Sequence, residues 1–363
     1  SMIYLFSAYA LVMGLHHPYF LNPMIYLPLM LIGVEKILEK KSPALFIAMV
    51  CLSAVSNFYF FYIIGCNVIV YVLIRLFTRY GLRRWKKLVG NLMKIAGYAV
   101  TGACLAGVML IPVLNLLSRT ARISRKSGIE LFYEGDFYKN LPVLFFTSTP
   151  TLPHHTAMVF SFVAFFCLLL LFMDRKKHLE LKAAFLTLTA VACLPLMGKI
   201  FHGFAYSSNR WMFGYVLLVA CIVSVEWRTL FSLSTKKLAV LAVSAAAAGG
   251  YLLWRREIAV TEEILFILAF MAVGICVLAL SHMEWRHLKA GLSSVIMLVL
   301  VAASVGTNAF YNFSERGNNR ASEYRYKEVV RTDLNAPVDT AVKKIAGDDV
   351  KEARYSAAFD LIE

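Results

Sequence analysis

Side chains that could bind a substrate are concentrated in a few short segments between long apolar runs. Five of the eight histidines lie in these segments, together with tyrosines, asparagines and a tryptophan. The candidates for ligand binding are His16, His17, Asn22, Asn57, Tyr59, Tyr62, His202 and Trp211. Polar groups gathered at a membrane boundary favour a functional site. For each residue taken singly, the alternative is an interfacial aromatic belt or a polar helix end.

Two basic sites in the same segments favour an anion. Four cations crowd one long connection, at Arg119, Arg122, Arg125 and Lys126. Arg210 lies at a predicted helix start, where the helix dipole disfavours a cation unless an anion offsets it. The guanidinium fork matches phosphate oxygens. For the basic loop, the alternative is a surface charge held by anionic lipid headgroups.

Other chemistry has less support in the sequence. Asp136 is the outer carboxylate best suited to act as a general base, although most loop carboxylates are simply solvated. The neighbouring histidine pairs have no third ligand at usable spacing, so no metal site is predicted. The sequence contains no Walker loop, GxGxxG, HExxH or GxSxG motif, which leaves nucleotide-driven pumping and membrane hydrolase chemistry without support.

The elements that must position these residues are membrane helices. Of 363 residues, 60% are hydrophobic and only 16% are charged, and the mean hydropathy is +0.67. A soluble domain cannot bury that much apolar surface. The formal charge of +15 arises mainly in short loops beside apolar helices, where the positive-inside rule explains it and nucleic acid is not implied.

The pattern predicts an all-α polytopic protein with about eleven transmembrane helices. They are placed at 1–15, 24–38, two within 43–77, 92–117, 157–173, 183–200, 211–225, 238–254, 264–280 and 291–308. Lys and Arg are in excess in the loops assigned to the cytoplasm, so the His-, Tyr- and Asn-rich turns face outward. We expect the connection from 119 to 155 to fold against the helices. We further expect a transmembrane domain over 1–310, and over 311–363 the start of an extracytoplasmic soluble segment that is cut off.

Several motifs resemble the YfhO family of bacterial multi-pass membrane proteins. They are the run from His17 to Leu29 (HPYFLNPMIYLPL), Gly33 to Leu38 (GVEKIL), Ser56 to Tyr62 (SNFYFFY) and Ser208 to Phe213 (SNRWMF). The resemblance covers most of 1–310, and its Asn-Phe-Tyr-Phe-Phe-Tyr element is fairly specific.

The resemblance implies a GT-C-like helical bundle in the bacterial cell membrane. It implies sugar transfer from a polyprenyl-phosphate donor to a wall polymer such as lipoteichoic acid, or to another glycan, on the outer face. It also implies that the main catalytic Asp lies in a first outer loop upstream of Ser1. We therefore expect this chain to be part of a longer protein.

Such a reaction needs a cation to stabilise the departing phosphate. Arg210, the basic loop or a divalent metal could serve, while aromatics such as Trp211 stack on sugar faces and His17, Asn22 and Asn57 bind hydroxyls.

Two other classes of protein function remain open. One is a flippase or transporter of lipid-linked sugars, against which the lack of an internal repeat counts. The other is a scaffold for wall-polymer assembly.

Overall fold

The computed structural model describes residues 2–14, 17–119, 131–149, 153–283, 290–314 and 317–318, and these residues form helices and no strands. The helices are α1 (Met2–Met13), α2 (Asn22–Leu38), α3 (Ala44–Ser56), α4 (Phe58–Tyr80), α5 (Trp85–Leu105), α6 (Gly107–Arg119), α7 (Gly135–Phe146), α8 (Phe162–Met173), α9 (Leu179–Ala192), α10 (Pro195–Phe201), α11 (Phe213–Glu226), α12 (Thr235–Trp254), α13 (Thr261–His282) and α14 (Ala290–Asn312). Short 3-10 turns precede α2 at Pro18–Leu21 and α11 at Arg210–Met212.

The helices confirm a multi-pass membrane protein, whereas the predicted count of eleven crossings is not confirmed. Within the described ranges, seven helices are long and apolar enough to span a membrane, or eight if α9 and α10, bent by 98°, form one span. Four further apolar helices, including α3 and α8, are shorter. At 1.5 Å per residue, a helix of about 13 residues falls short of a hydrocarbon core of about 30 Å.

Two regions of helix differ from the predicted crossings. Two crossings were predicted within 43–77. The break between them lies at Asn57, and α4 then runs for 23 residues. The single crossing predicted at 92–117 is divided between α5 and α6 near Ala106. Gly107 weakens the helix after this point, and Pro112 removes a backbone donor from α6.

Glycines let neighbouring backbones approach closely on one side of the bundle. A Cβ added at Gly33 of α2 would lie 2.8 Å from Cα of Phe46 in α3. One added at Gly102 of α5 would lie 2.8 Å from the carbonyl oxygen of Ile47. Small residues at helix contacts are the usual way to pack helices tightly in membranes.

A charged contact joins α2 and α4 at the end that the loop charges predict to be cytoplasmic. Arg75 donates two hydrogen bonds to Glu35, from Nε to Oε1 at 2.8 Å and from a terminal nitrogen to Oε2 at 2.9 Å. The hydroxyl of Tyr71 donates to the same Oε1 at 2.7 Å. This bidentate geometry fixes how the two helices meet.

A second carboxylate, Glu263 in the first turn of α13, is fully buried. It accepts hydrogen bonds from the backbone N–H of Ser148 at 2.6 Å and of Thr149 at 3.3 Å. Both hydroxyls, Ser148 Oγ and Thr149 Oγ1, lie 2.6 Å from its oxygens. Ser148 Oγ is also 2.8 Å from the carbonyl oxygen of Asn308 in α14. We call this arrangement the Glu263 clasp; it ties the segment after α7 to α13 and α14.

Candidate functional site: a cationic, aromatic cluster around Arg210

Arg210 lies in the 3-10 turn before α11, and its side chain is only partly exposed. One terminal nitrogen is 3.3 Å from Nε2 of His155, and the guanidinium carbon is 5.6 Å from the ring centroid of Phe20. Its Nε is buried and has no hydrogen-bond partner within the described part of the chain. Among the described residues, no Asp or Glu lies within ion-pairing distance of this cation. Among the described residues, the charge is therefore met by the ring face of Phe20 and by two neutral groups, His155 and the hydroxyl of Tyr59.

Other buried polar atoms around Arg210 also have no hydrogen-bond partner among the residues that the structure describes. They are the hydroxyls of Tyr9 and Tyr59 and both ring nitrogens of His202. Tyr59 lies beside Arg210 and 5.2 Å, ring to ring, from His202. Each of these groups can donate a hydrogen bond. Buried polar groups are normally satisfied, so several unsatisfied donors around one cation predict an anionic or hydroxyl-rich ligand. We call Tyr9, Tyr59, His155, His202 and Arg210 the Arg210 cluster.

The loop that presents His155 is held in an unusual backbone conformation. His154 and His155 have φ of 51° and 60°, in the left-handed region that is unfavourable for non-glycine residues. Strain of this kind often occurs at functional sites. Asn209 stabilises the loop, since its N–H donates to the carbonyl of His154 at 2.8 Å and its Nδ2 donates to Thr156 Oγ1 at 3.0 Å. Ser208 Oγ is 3.3 Å from Nδ1 of His155, which orients the ring towards Arg210.

The two histidines of the cluster are neutral near pH 7. Burial, and then the charges of Arg210 and His154, lower the pKa of His155 to about 4. Burial, and then Arg210 and His155, lower the pKa of His202 to about 4 as well. A neutral His155 can accept from Arg210 through Nε2, in agreement with the 3.3 Å contact. The cluster therefore carries the single positive charge of Arg210 when it is empty of ligand.

The connection between α6 and α8 covers one side of this region. Tyr133 packs on His154 at 4.5 Å between ring centroids, and its hydroxyl is 2.7 Å from Ser207 Oγ. Tyr138 in α7 donates to the carbonyl of Cys193 at 2.8 Å. The expectation that this connection folds against the helices is thus confirmed for residues 131–149.

Several residues predicted to bind a ligand make hydrogen bonds within the protein, and their role in binding stays a prediction. Asn22 Nδ2 donates to Ser56 Oγ at 3.1 Å, and Asn57 Oδ1 accepts from the N–H of Phe60 as the cap of α4. Tyr62 donates to the carbonyl of Ile200 at 2.8 Å.

Trp211 is fully buried and donates through Nε1 to Asn209, with its ring 5.1 Å from Phe201. This packing leaves no accessible ring face for the predicted stacking on a sugar. Its position helps to hold Asn209, and through it the histidine loop.

The remaining predicted residues lie further from the Arg210 cluster or outside the described ranges. The ring of His17 stacks on the ring of Phe20 at 5.2 Å between centroids, and Phe20 in turn lies against the guanidinium of Arg210. The side chain of Asp136 is 74% exposed and pairs with Lys139 at 3.1 Å, so its role as a base stays a prediction. Arg119 is the last residue of α6. The structure does not describe His16, Arg122, Arg125 and Lys126.

Three residues at the site, Tyr9, Phe20 and His155, were not among the residues predicted to bind a ligand. Tyr9 lies in an apolar run, and Phe20 lies between two more polar candidates. A signal for Tyr9 was present, because a hydroxyl inside a membrane helix needs a partner.

Within the described part of the chain, no three His, Cys, Asp or Glu side chains converge on a point where a metal ion could be held.

The fold and this site define a class, the multi-pass helical membrane proteins with a partly buried cationic site. The chain belongs to a family described as bacterial membrane protein YfhO, whose model matches residues 1–346. It is 26% identical over 227 residues to an uncharacterized protein YfhO from Bacillus subtilis (strain 168). That match covers 61% of this chain and 24% of the relative, so the chain spans about a quarter of the relative's length. No solved structure matches the chain.

Proposed function

We propose that the protein transfers a sugar from a polyprenyl-phosphate-linked donor to a wall polymer or another glycan on the extracytoplasmic face, and that the Arg210 cluster holds the donor phosphate. The observation that carries this proposal is the unpaired cation. Arg210 is partly buried, has no carboxylate within 4.0 Å among the described residues, and is surrounded by donors without partners. Partial removal of a charge from water without a counter-ion is unfavourable, and a phosphate would supply the missing negative charge.

The cluster also suits the transition state of sugar transfer. Negative charge grows on the phosphate as the sugar leaves, and a preorganised cation placed there stabilises that charge. The hydroxyls of Tyr9 and Tyr59 and the N–H of His202 would add hydrogen bonds to the remaining phosphate oxygens. The base that activates the acceptor is not among these residues. Asp136, which is exposed and pairs with Lys139, is one candidate for that base.

The donor set of the cluster does not fit a divalent cation. Arginine, tyrosine and neutral histidine provide one positive charge and several hydrogen-bond donors but no carboxylate, whereas hard divalent cations prefer oxygen anions. The proposal therefore uses the guanidinium of Arg210 in place of a metal ion.

The test compares Arg210→Gln and Arg210→Lys with Arg256→Gln in the protein reconstituted in lipid nanodiscs. Arg256 is an exposed cation that the sequence places on the same face. Removing hydrogen bonds to a charged ligand costs about 1.5–3 kcal/mol, so Arg210→Gln should weaken binding of undecaprenyl phosphate by roughly 10- to 150-fold. Arg210→Lys should lose less, because it keeps the charge and loses the fork.

The same three variants are then placed in the full-length protein and glycan modification is measured in cells. Arg210→Gln should abolish modification at normal expression, and Arg256→Gln should not. Equal binding and equal modification by Arg210→Gln and Arg256→Gln would contradict the proposal.

A further inference from the structure

Basic side chains crowd the corner where α4 ends and α5 begins, at the end of the bundle that the loop charges predict to be cytoplasmic. The sequence has no Asp or Glu from Lys40 to Ile129. Among the described residues, no cation of this corner lies within 4.0 Å of a carboxylate, and all of these cations are exposed. We call them the basic corner: Arg79, Arg83, Arg84, Lys86, Lys87 and Lys94.

The first half of α5 separates apolar side chains from these cations. At 100° per residue, Trp85, Val89 and Leu92 lie within about 60° of one another, and Lys87 and Lys94 lie on the opposite side. Trp85 is 59% exposed and Val89 is 42% exposed. This arrangement is typical of a segment at the membrane interface. An acidic soluble protein would contact the cations and leave the apolar side chains in water, so a lipid surface fits the corner better.

An apolar groove begins directly beside the basic corner. It encloses about 390 Å³ between α3, α4 and α5, and every residue that lines it is apolar. On α5 it begins at Leu92, next to Asn91, whose Nδ2 is 3.4 Å from the hydroxyl of Tyr80 at the end of α4. It runs along α5 to Ala103, a distance of about 16 Å. Half of a hydrocarbon core of about 30 Å is about 15 Å, so this length fits the acyl chain of one leaflet.

The groove is open at its side and closed at its far end. Its lining includes Ile69 of α4, which is 58% exposed, and Val100 of α5, which is 62% exposed. At the far end, Phe61 and Ala103 pack against a small separate core that contains Leu110. A chain can therefore enter from the bilayer or along the basic corner, while this core blocks entry from the other end.

We propose that the groove and the basic corner together bind an anionic phospholipid of the cytoplasmic leaflet, with one acyl chain in the groove and the phosphate at the basic corner. The two parts have the polarity of such a lipid, since the cations without a counter-charge lie at one end of an apolar space. The bound lipid fills the gap between α4 and α5. The proposal does not rest on the proposed function, because Arg79 lies 20 residues beyond Tyr59 on α4, about 30 Å from the Arg210 cluster.

The first test measures which lipid the purified protein retains in mild detergent, by native mass spectrometry with phosphatidylglycerol or phosphatidylcholine added. The unaltered protein should retain one phosphatidylglycerol in preference to phosphatidylcholine. The double substitution Lys86→Gln and Lys87→Gln should weaken phosphatidylglycerol at least about fivefold, the factor that one cation contributes near an anionic surface, and should leave phosphatidylcholine unchanged. Equal retention of the two lipids by the unaltered protein would overturn the proposal, and is the result expected if an acidic protein were the partner.

The matched control for the charges is the double substitution Lys176→Gln and Lys177→Gln. These lysines are also exposed neighbours in a loop predicted to be cytoplasmic, and Lys177 already pairs with Asp174 at 3.3 Å. The control should keep the preference for phosphatidylglycerol. Equal loss of that preference in both double variants would show a general effect of charge and would overturn the assignment of the phosphate to the basic corner.

The second test fills the groove and leaves the cations in place. Gly65 lines the groove, and a Cβ added there meets nothing within 4 Å, so Gly65→Leu places its side chain in open space. Gly97→Leu is the matched control, because a Cβ at Gly97 also meets nothing within 4 Å and Gly97 does not line the groove. Gly65→Leu should weaken retention of phosphatidylglycerol at least about tenfold, since two buried methylenes account for that factor. Equal retention by the two variants would overturn the groove as the chain site.

A third measurement uses the unaltered protein in vesicles and does not depend on how a variant folds. Phosphatidylglycerol with a diazirine in one acyl chain should label α3, α4 or α5 on irradiation. Unlabelled phosphatidylglycerol should compete for this labelling more strongly than phosphatidylcholine does. Labelling confined to other helices, or equal competition by the two lipids, would overturn the proposal.

Discussion

The Glu263 clasp gives a sharp prediction about stability. Replacing Glu263 with Ala leaves the backbone N–H groups of Ser148 and Thr149 buried without an acceptor. The hydroxyl of Ser148 keeps a hydrogen bond, because its Oγ can still donate to the carbonyl oxygen of Asn308. Each unsatisfied buried donor costs about 1–3 kcal/mol, so we expect a loss of roughly 2–6 kcal/mol. Glu263→Gln keeps one carbonyl oxygen and should lose about half as much.

The matched control is Glu262→Ala. Glu262 is exposed in the same first turn of α13, so its removal takes the same charge from the helix N-terminus. That interaction alone is worth about 0.3–1 kcal/mol. Thermal unfolding in detergent measures the difference. At roughly 2 °C per kcal/mol, Tm should fall by roughly 4–12 °C in Glu263→Ala and hardly at all in Glu262→Ala. Equal Tm values for the two variants would refute the reasoning.

Two further predictions concern packing and pH. Gly33→Ala should destabilise the protein by about 1–3 kcal/mol, because the new Cβ meets the backbone of Phe46. Gly97→Ala is the control and should not destabilise it, because a Cβ there meets nothing within 4 Å. Equal Tm values for the two variants would contradict the close approach of α2 and α3. The pKa of about 4 for both His155 and His202 lies below that of an unfolded histidine, so the unfolded state binds more protons and stability should fall as the pH is lowered from about 6.5 to 4. Tm measured against pH should show this fall, and the fall should be smaller in His155→Gln. A pH profile of Tm that is the same in His155→Gln and in the unaltered protein would contradict the low pKa of His155.

Much of the fold follows from local pattern. Apolar length predicts most of the long helices, and Asn57 after Ser56 predicts the break before α4, because a residue that caps a helix must leave the helical conformation. The break at Ala106 was missed, since the apolar pattern continues through it. The count of eleven crossings is not confirmed for a related reason, because apolar runs of about 13 residues indicate burial without indicating a complete span.

The candidate site was predictable in parts and not as a whole. The sequence singles out Arg210 because a cation at a helix start is unfavourable. It gives no sign that His155, 55 residues earlier, lies 3.3 Å away. The Glu263 clasp was missed entirely, since a glutamate at a helix start has a sufficient local explanation in the helix dipole. Contacts across more than 100 residues depend on how the helices pack, and single-sequence patterns do not contain that information.

Proton binding by His155 and His202 is coupled to anion binding at Arg210. The charge of Arg210 is one of the causes that hold the pKa values of His155 and His202 near 4. A bound anion offsets that charge, so both pKa values rise when the anion arrives and fall when it leaves. By linkage, the affinity for anions should increase as the pH falls towards 4, where the two rings begin to bind protons.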